Sequence, residues 1–527
     1  MERLNGAIHG ADITVITIYF LIVVVIGVYV SRQTQSGDDL FLAGRSLTWA
    51  AIGLSLFASN ISTTTIIGLT GSAYADGISV SAYEWMAGVP LILLAFVFAP
   101  LYFKSRITTV PEYLEYRFDR RVRQYFSAMT ILLTVIIDTA GGLYAGGVVM
   151  RTFFPQFDLW IWCAAIGLFA GLYTAAGGLR AVVYTDVLQA IVLIVGSSAI
   201  TYVMFAGMDF SWEKVVAAAP VDHFSVVQPM HDPQLPWPGL FTGVVLLGFW
   251  YWVTNQYIVQ RVLGAKNLQH AQWGAMLGGM LKFLPLFIMV LPGAMAISQF
   301  PNIPNKDMVF AVMATEALPI GLTGLVLAGL MAAIMSSVDS TLNSSSTLIV
   351  HDFVFKNGTK PDPYKSRRYG RVTTIVLMLI AILWAPQIKD FGGLWSYLQQ
   401  AFSILVPPIA AIFLVGAFLG RGTASGALWA LIAGHVAGGG LFWLTQAGLW
   451  PLHFTINVTI MTAFSVLVFV VVSFAGTAPS SDVIRNTVWR KDMALDPKTA
   501  GSPIWTDPRA HAVLVFAGVV GIIVGFW

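Results

Sequence analysis

The sequence predicts an all-α protein that crosses a membrane many times, and three observations carry that expectation. Of 527 residues, 57% are hydrophobic and 10% charged, against about 25% charged in an ordinary soluble domain. The mean hydropathy is +0.75. The apolar residues also fall into runs of spanning length: about 20 residues of helix cross a hydrocarbon core of about 30 Å. Helices satisfy their own backbone groups where no water can. The same figures exclude a disordered chain, a disulfide scaffold and a nucleic-acid binder. The net charge is only +3, and the single cysteine, Cys163, lies in an apolar run with no partner for an internal disulfide.

Fourteen runs follow, numbered here in chain order. Run one (12–31) is too long for a cleavable leader and lacks a basic segment before it. Run two (47–72) carries a polar segment and run three (82–103) ends at Lys104. The stretch 107–123 reads as a short amphipathic interfacial helix beginning at Pro111. Runs four (124–150), five (158–178) and six (181–206) come next; Gly177-Gly178 reads as close helix packing. The segment 207–238, with Trp212, Pro220, Pro236, Trp237 and Pro238, reads as an outer loop that caps that face, a lid being the sharper alternative. Runs seven (239–260), eight (270–299), nine (320–351), ten (369–387) and eleven (393–419) precede twelve (423–446) and thirteen (453–475). The polar, Pro/Ser-rich stretch 476–508 reads as a flexible inner linker to run fourteen (510–527), which ends on Trp527.

Basic residues fix the orientation. Loops after odd-numbered runs hold 23 lysines and arginines, from Arg32 to Arg509 and including Arg180 and Arg261; the other side holds five, and Lys282 alone is left inside a run. The positive-inside rule then puts the odd loops in the cytoplasm and both termini outside. Short loops suit a plasma-membrane protein, of the bacterial inner membrane by economy of length.

A charge at membrane depth is costly and is a functional hypothesis by default. Here they are Glu84, Asp138, Asp186, Lys282 and Asp339. Asp186 has an alternative partner in Arg180. Run two holds Ser59-Asn60-Ile61-Ser62-Thr63-Thr64-Thr65, polar at all but one position and therefore not confined to one helix face. A helix unwound at the midplane is the arrangement that binds ions and substrates in transporters built from inverted repeats. Run nine holds Ser336, Ser337, Asp339, Ser340 and Thr341. Hydroxyl and carboxylate oxygens suit a hard cation such as Na⁺; the bland alternative is hydroxyls bonded back to the preceding turn. No HExxH, GxSxG or phosphate-binding loop is present, and the eight histidines show no metal spacing. No enzyme and no cofactor are expected.

The residues resemble the sodium/glucose cotransporters within the solute:sodium symporter family. The resemblance runs from Asp39-Leu40-Phe41-Leu42-Ala43-Gly44-Arg45 to the end of run eleven. It is carried by Ala58-Ser59-Asn60-Ile61-Ser62, Tyr83-Glu84-Trp85, Thr109-Val110-Pro111-Glu112-Tyr113, Gly177-Gly178-Leu179-Arg180 with Thr185-Asp186, Asn255-Gln256-Tyr257, and Ser336-Ser337 through Asn343-Ser344. It implies a LeuT-like fold with two inverted five-helix repeats, 47–206 and 239–419. Run one with its inner loop (1–46) precedes them and three peripheral helices (420–527) follow. It implies a sodium site made of carbonyls at Ala58, Ile61 and Ala333 and hydroxyls at Ser336 and Ser337. Some members have a second cation site, matching Asp186, Asp339 and Ser340; many relatives are neutral where Asp339 stands.

For substrate, the sugar-transporting members match Asn60, Glu84, Lys282 and Gln399 in identity, with Tyr251 as the aromatic beneath the sugar and Trp252 beside it. Thr64 and Thr65 replace two longer polar side chains of a bacterial galactose-transporting member, and Gly248 replaces an asparagine, so the pocket is expected to be larger on that side. Asp138 has no charged counterpart there. It argues against anionic substrates; contact with substrate or cation competes with bonding to Thr139 or Tyr144. The resemblance thus implies Na⁺-coupled import of a sugar by alternating access, with Na⁺, the sugar and the lipid bilayer as partners and no obligate protein or nucleic-acid partner. Another neutral or zwitterionic solute, such as a polyol, nucleoside or amino acid, is the alternative.

Overall fold

The computed structural model describes residues 9–32, 37–154, 156–303, 306–355, 362–391, 394–495 and 503–527. Among these the regular elements are helical, and the sole β contacts are two isolated bridges, Leu47 with Ala265 and Gln228 with Pro236. Ten helices are long and apolar enough to cross a membrane, or eleven if the bent pair in run two counts as one. Several of the fourteen runs are divided or short, which lowers this number. Runs five and six are two helices that meet at a kink within the helical stretch Leu159–Ala206, 48 residues in all. Straight, it would measure about 72 Å, more than twice the bilayer core of about 30 Å. It is broken at Gly178 (φ 60°, ψ −156°). A Cβ there would lie 2.3 Å from the Leu40 carbonyl oxygen, so both conformation and space demand glycine. The close packing expected at Gly178 is present, and Gly178 is also where the chain turns.

Run seven is likewise interrupted. Helical segments cover 237–241, 243–249 and 250–254, Asn255 is extended, and Gln256–Leu263 resumes. In run eleven, Leu394–Phe418, the described apolar part is Phe402–Phe418. Run nine, Leu322–Val354, lies at the centre and is almost wholly buried, whereas runs one and fourteen present large apolar side chains outward. The start of run nine is capped from another helix: Asp12 of run one accepts from the amides of Gly321 (2.9 Å) and Gly324 (2.7 Å).

The short helix is Val110–Arg117, and it packs one side into the protein. Val110, Tyr113 and Leu114 are buried, and Arg117 donates to the carbonyls of Gly416 (2.9 Å), Leu419 (2.7 Å) and Gly422 (3.0 Å), capping the end of run eleven. Residues 480–495 are docked rather than a flexible linker. Trp489 donates through its amide to Ala417 and through its ring to Phe96, both at 2.8 Å; Tyr113 and Lys104 reach the carbonyls of Thr487 and Arg485. Composition hid this because backbone carbonyls make most of the contacts. The segment 207–238 packs against the helix ends as a cap: the Ile78 amide donates to the His223 carbonyl (2.9 Å) and the Val226 amide to that of Phe526 (2.7 Å).

Candidate cation site and substrate pocket

Run two breaks where its polar segment predicts. Trp49–Asn60 and Thr63–Asp76 are separate helices, with Ile61 (φ −79°, ψ 89°) and Ser62 (φ −88°, ψ 169°) between them. Short polar side chains offer the backbone other partners, and two amides take them. The Ser62 amide turns to the Asn60 carbonyl (3.0 Å), and the Thr65 amide to the Ser62 hydroxyl (3.1 Å). In a continuous helix these donors would serve the carbonyls of Ala58 and Ile61. The two carbonyls expected as sodium ligands are those whose helical donors have been redirected.

Run nine lies against this break. The Ser59 hydroxyl is 3.4 Å from that of Ser336 and 3.1 Å from that of Ser340. Ser337 donates to the Ala333 carbonyl at 3.0 Å, and Ser340 and Thr341 likewise bond back to the carbonyls of Ser336 and Ser337, so these hydroxyls take the back-bonded alternative in this form; Ala333 shares a buried cluster with Ala58 and Ile61. The arrangement brings hydroxyl and carbonyl oxygens toward one region, the donor type that hard cations take. Ser336 donates to Asp186 (2.5 Å).

The residues of the second cation site are also neighbours, but a side chain stands among them. Arg261, counted from sequence among the inner-loop cations, is 1% exposed. Its Nη2 lies 3.0 Å from Asp186 Oδ2 and 2.5 Å from the Ser340 hydroxyl, and also bonds Ser59; Nε bonds Ser55 at 2.6 Å, and Nη1 bonds the Tyr257 carbonyl. Asp186 therefore pairs with Arg261, not with Arg180. Asp339 accepts from Tyr173 and, at 3.2 Å, from Ser340. Arg261 was missed because the helix break at Asn255 carries it inward from the position that a continuous run implies. The signal that would have found it is charge: four carboxylates at depth against one lysine.

The pocket residues converge beside the break. Lys282 bonds both Asn60 Oδ1 and Glu84 Oε2, and its Nζ lies 5.3 Å from the Trp252 ring centroid. Tyr251 packs edge-on against Trp252 (5.1 Å) and Tyr257 (5.6 Å). Asn60 thus ends the first half of run two with its backbone and enters the pocket with its side chain. Thr65 does something else: its hydroxyl bonds the Asn60 carbonyl (3.3 Å) and the Ser62 hydroxyl (3.0 Å), which holds the break. Gly248 gives less room than expected, because Pro90 fills that side; a Cβ would meet its Cγ at 3.2 Å. The side chains of Thr64 and Gln399 lie outside the described residues. Asp138 does not bond Thr139, whose hydroxyl goes to the Thr134 carbonyl and to Thr341, both at 2.7 Å. Its Oδ2 is buried without a hydrogen-bond partner.

Residues 40–434 match the sodium:solute symporter family. Sodium/glucose cotransporter 1 of Oryctolagus cuniculus is 35% identical, over 83% of this chain and 72% of that protein. Sodium/myo-inositol cotransporter 2 of the same organism is 33% identical, over 92% of this chain and 79% of that protein. Among solved structures, a Na⁺-coupled sialic acid symporter in a substrate-bound, outward-open state superposes with a TM-score of 0.80 at 24% identity, covering 90% of this chain and 99% of that one.

Proposed function

The chain belongs to the sodium:solute symporter family, and from that premise we propose that it is a sodium-coupled symporter of a sugar or polyol. Relatives named for glucose and for myo-inositol support that substrate class. The residue that carries the reading is Asn60. Its backbone belongs to the break whose neighbouring carbonyls have lost their helical donors, and its side chain accepts from the pocket lysine. Na⁺ held by the Ala58, Ile61 and Ala333 carbonyls with Ser336 and Ser337 would fix the break in the shape that presents Asn60. Sugar hydroxyls would then exchange with the Lys282, Glu84 and Asn60 contacts, with Gln399 closing the set, while the apolar face of the ring rests on Tyr251 and Trp252. A membrane potential supplies about 2.3 kcal/mol per charge per 100 mV, which drives the loaded form inward.

The finer organisation goes with this reading. Ten of fourteen crossings, with the reversal at Gly178 and the breaks at Asn60–Ser62 and Asn255 each inside a crossing, form two inverted five-helix repeats; run one precedes them, three helices follow, and both termini lie outside the cytoplasm. The second cation place carries Arg261 in the form described here, so a second Na⁺ would have to displace a guanidinium. The activity is transport, with Na⁺ as coupling ion and no cofactor. Replacing Asn60 tests the core of this: Asn60→Ala should bind ²²Na⁺ and lose Na⁺-driven sugar uptake. Coupled uptake retained in that variant contradicts it.

A further inference from the structure

We propose that the coupling ion leaves along one polar face of run nine, and that Phe41, latched by Gln260, is the plug that closes this route; the proposal rests on the symport reading and the orientation given above. The face begins at the cation region, where Ser336 and Ser340 lie beside Ser59. Ser344, Thr347 and His351 follow at spacings of four, three and four residues, so all five share one stripe that runs to the end of the helix. The second half of run seven covers it. Arg261 donates to Ser340 at 2.5 Å, and Gln260 donates to Thr347 Oγ1 at 2.8 Å. Gln260 also donates to the Phe41 carbonyl at 2.6 Å, and the Phe41 ring meets that of His351 edge to face, with centroids 5.0 Å apart.

What lies under these bonds is unsatisfied. Ser344 stands between the two positions that run seven holds, is fully buried, and its Oγ has no hydrogen-bond partner. Gln260 Oε1, Asn343 Nδ2 and His351 Nε2 are also buried without one. Buried polar atoms are ordinarily paired, and leaving them unpaired is costly. A seam that only joined helices would be better built from apolar side chains. Polar atoms left open in line suit a path that fills with water when its cover moves, and hydroxyl and amide oxygens are the ligands a hard cation accepts on the way. The plug is also placed to move. Phe41 lies on the short helix Gly37–Leu42, in a small cluster with Leu40 and Val350 apart from the larger cores. Directly after it come three successive left-handed residues, Ala43, Gly44 and Arg45 (φ 52°, 61° and 50°). Two of them carry a Cβ that disfavours this conformation, and such strain gathers at switch segments.

The test is thiol labelling in inside-out membrane vesicles with a membrane-impermeant cationic methanethiosulfonate. Cys163→Ala removes the single native cysteine; in that parent, Ser344→Cys puts a thiol on the stripe and Leu342→Cys puts one on the opposite face of run nine. In Na⁺, adding Phe41→Ala or Gln260→Ala should speed labelling of S344C by about tenfold and leave L342C slow. No acceleration of S344C, or equal acceleration of L342C, overturns the route. If neither plug variant folds, S344C alone decides: Na⁺ holds the closed form, so labelling in choline should be about tenfold faster than in Na⁺, and equal rates overturn the proposal. Na⁺-driven uptake of labelled D-glucose and myo-inositol by the Cys163→Ala parent reads the symport assignment separately. Uptake present with labelling unchanged overturns the route alone; uptake of neither overturns the symport reading, and the route with it.

Discussion

Among the described residues two ion pairs have both partners buried, Lys282–Glu84 and Arg261–Asp186, and they are satisfied to different degrees. Arg261 reaches Ser55 and Ser59 in run two, Asp186 in run six, Ser340 in run nine and its own helix at Tyr257. Asp186 takes Ser55, Ser59 and Ser336 besides. Lys282 has two polar partners and an aromatic face. A network whose donors and acceptors are spent within the protein joins helices, whereas one with fewer partners is suited to take a ligand. The charges are alike, and it is the surrounding hydroxyls that separate structural from binding roles.

That contrast breaks most sharply under truncation. Arg261→Ala leaves Asp186 buried without its cation, a loss of about 3–5 kcal/mol for such pairs. Little folded protein should survive purification, and what does should melt far below wild type. The double variant Lys282→Met with Glu84→Gln, which leaves no unpaired buried charge at the expected pocket, should fold and melt closer to wild type, yet lose sugar affinity by about a hundredfold, about 2.8 kcal/mol. Equal melting losses in the two variants would erase the distinction. Ser337→Ala removes one expected sodium ligand and keeps both ion pairs; the Na⁺ concentration for half-maximal uptake should rise about tenfold, about 1.4 kcal/mol, and an unchanged value would move the sodium site elsewhere. The smallest effect belongs to Asp12→Ala, which uncaps the start of run nine outside both regions. A lowered melting temperature worth about 1 kcal/mol with unaltered Na⁺ activation is expected, and altered Na⁺ activation would join that cap to the site.

The pocket pair was legible in the sequence and the other was not, for a geometric reason. Glu84 and Lys282 interrupt long apolar runs, so their depth follows from position. Arg261 follows Asn255-Gln256, and only the interrupted helix carries it to Asp186. The run-two break was readable because six of seven successive residues there carry short polar side chains that can compete for the backbone. The turn at Gly178 was not, because a left-handed glycine and a packed one are spelled alike. Runs five and six were separable by length, and they are two helices that meet at that glycine. The docking of 480–495 was hidden because it rests on backbone carbonyls.

Uphill uptake measures the central claim most directly. Purified protein in liposomes would be given labelled hexoses and myo-inositol with an inward Na⁺ gradient, or with choline in place of Na⁺. Transient accumulation of a sugar or polyol above equilibrium with Na⁺, abolished by a sodium ionophore, is the predicted result. Uptake that is the same in choline as in Na⁺ would contradict sodium coupling at the run-two break.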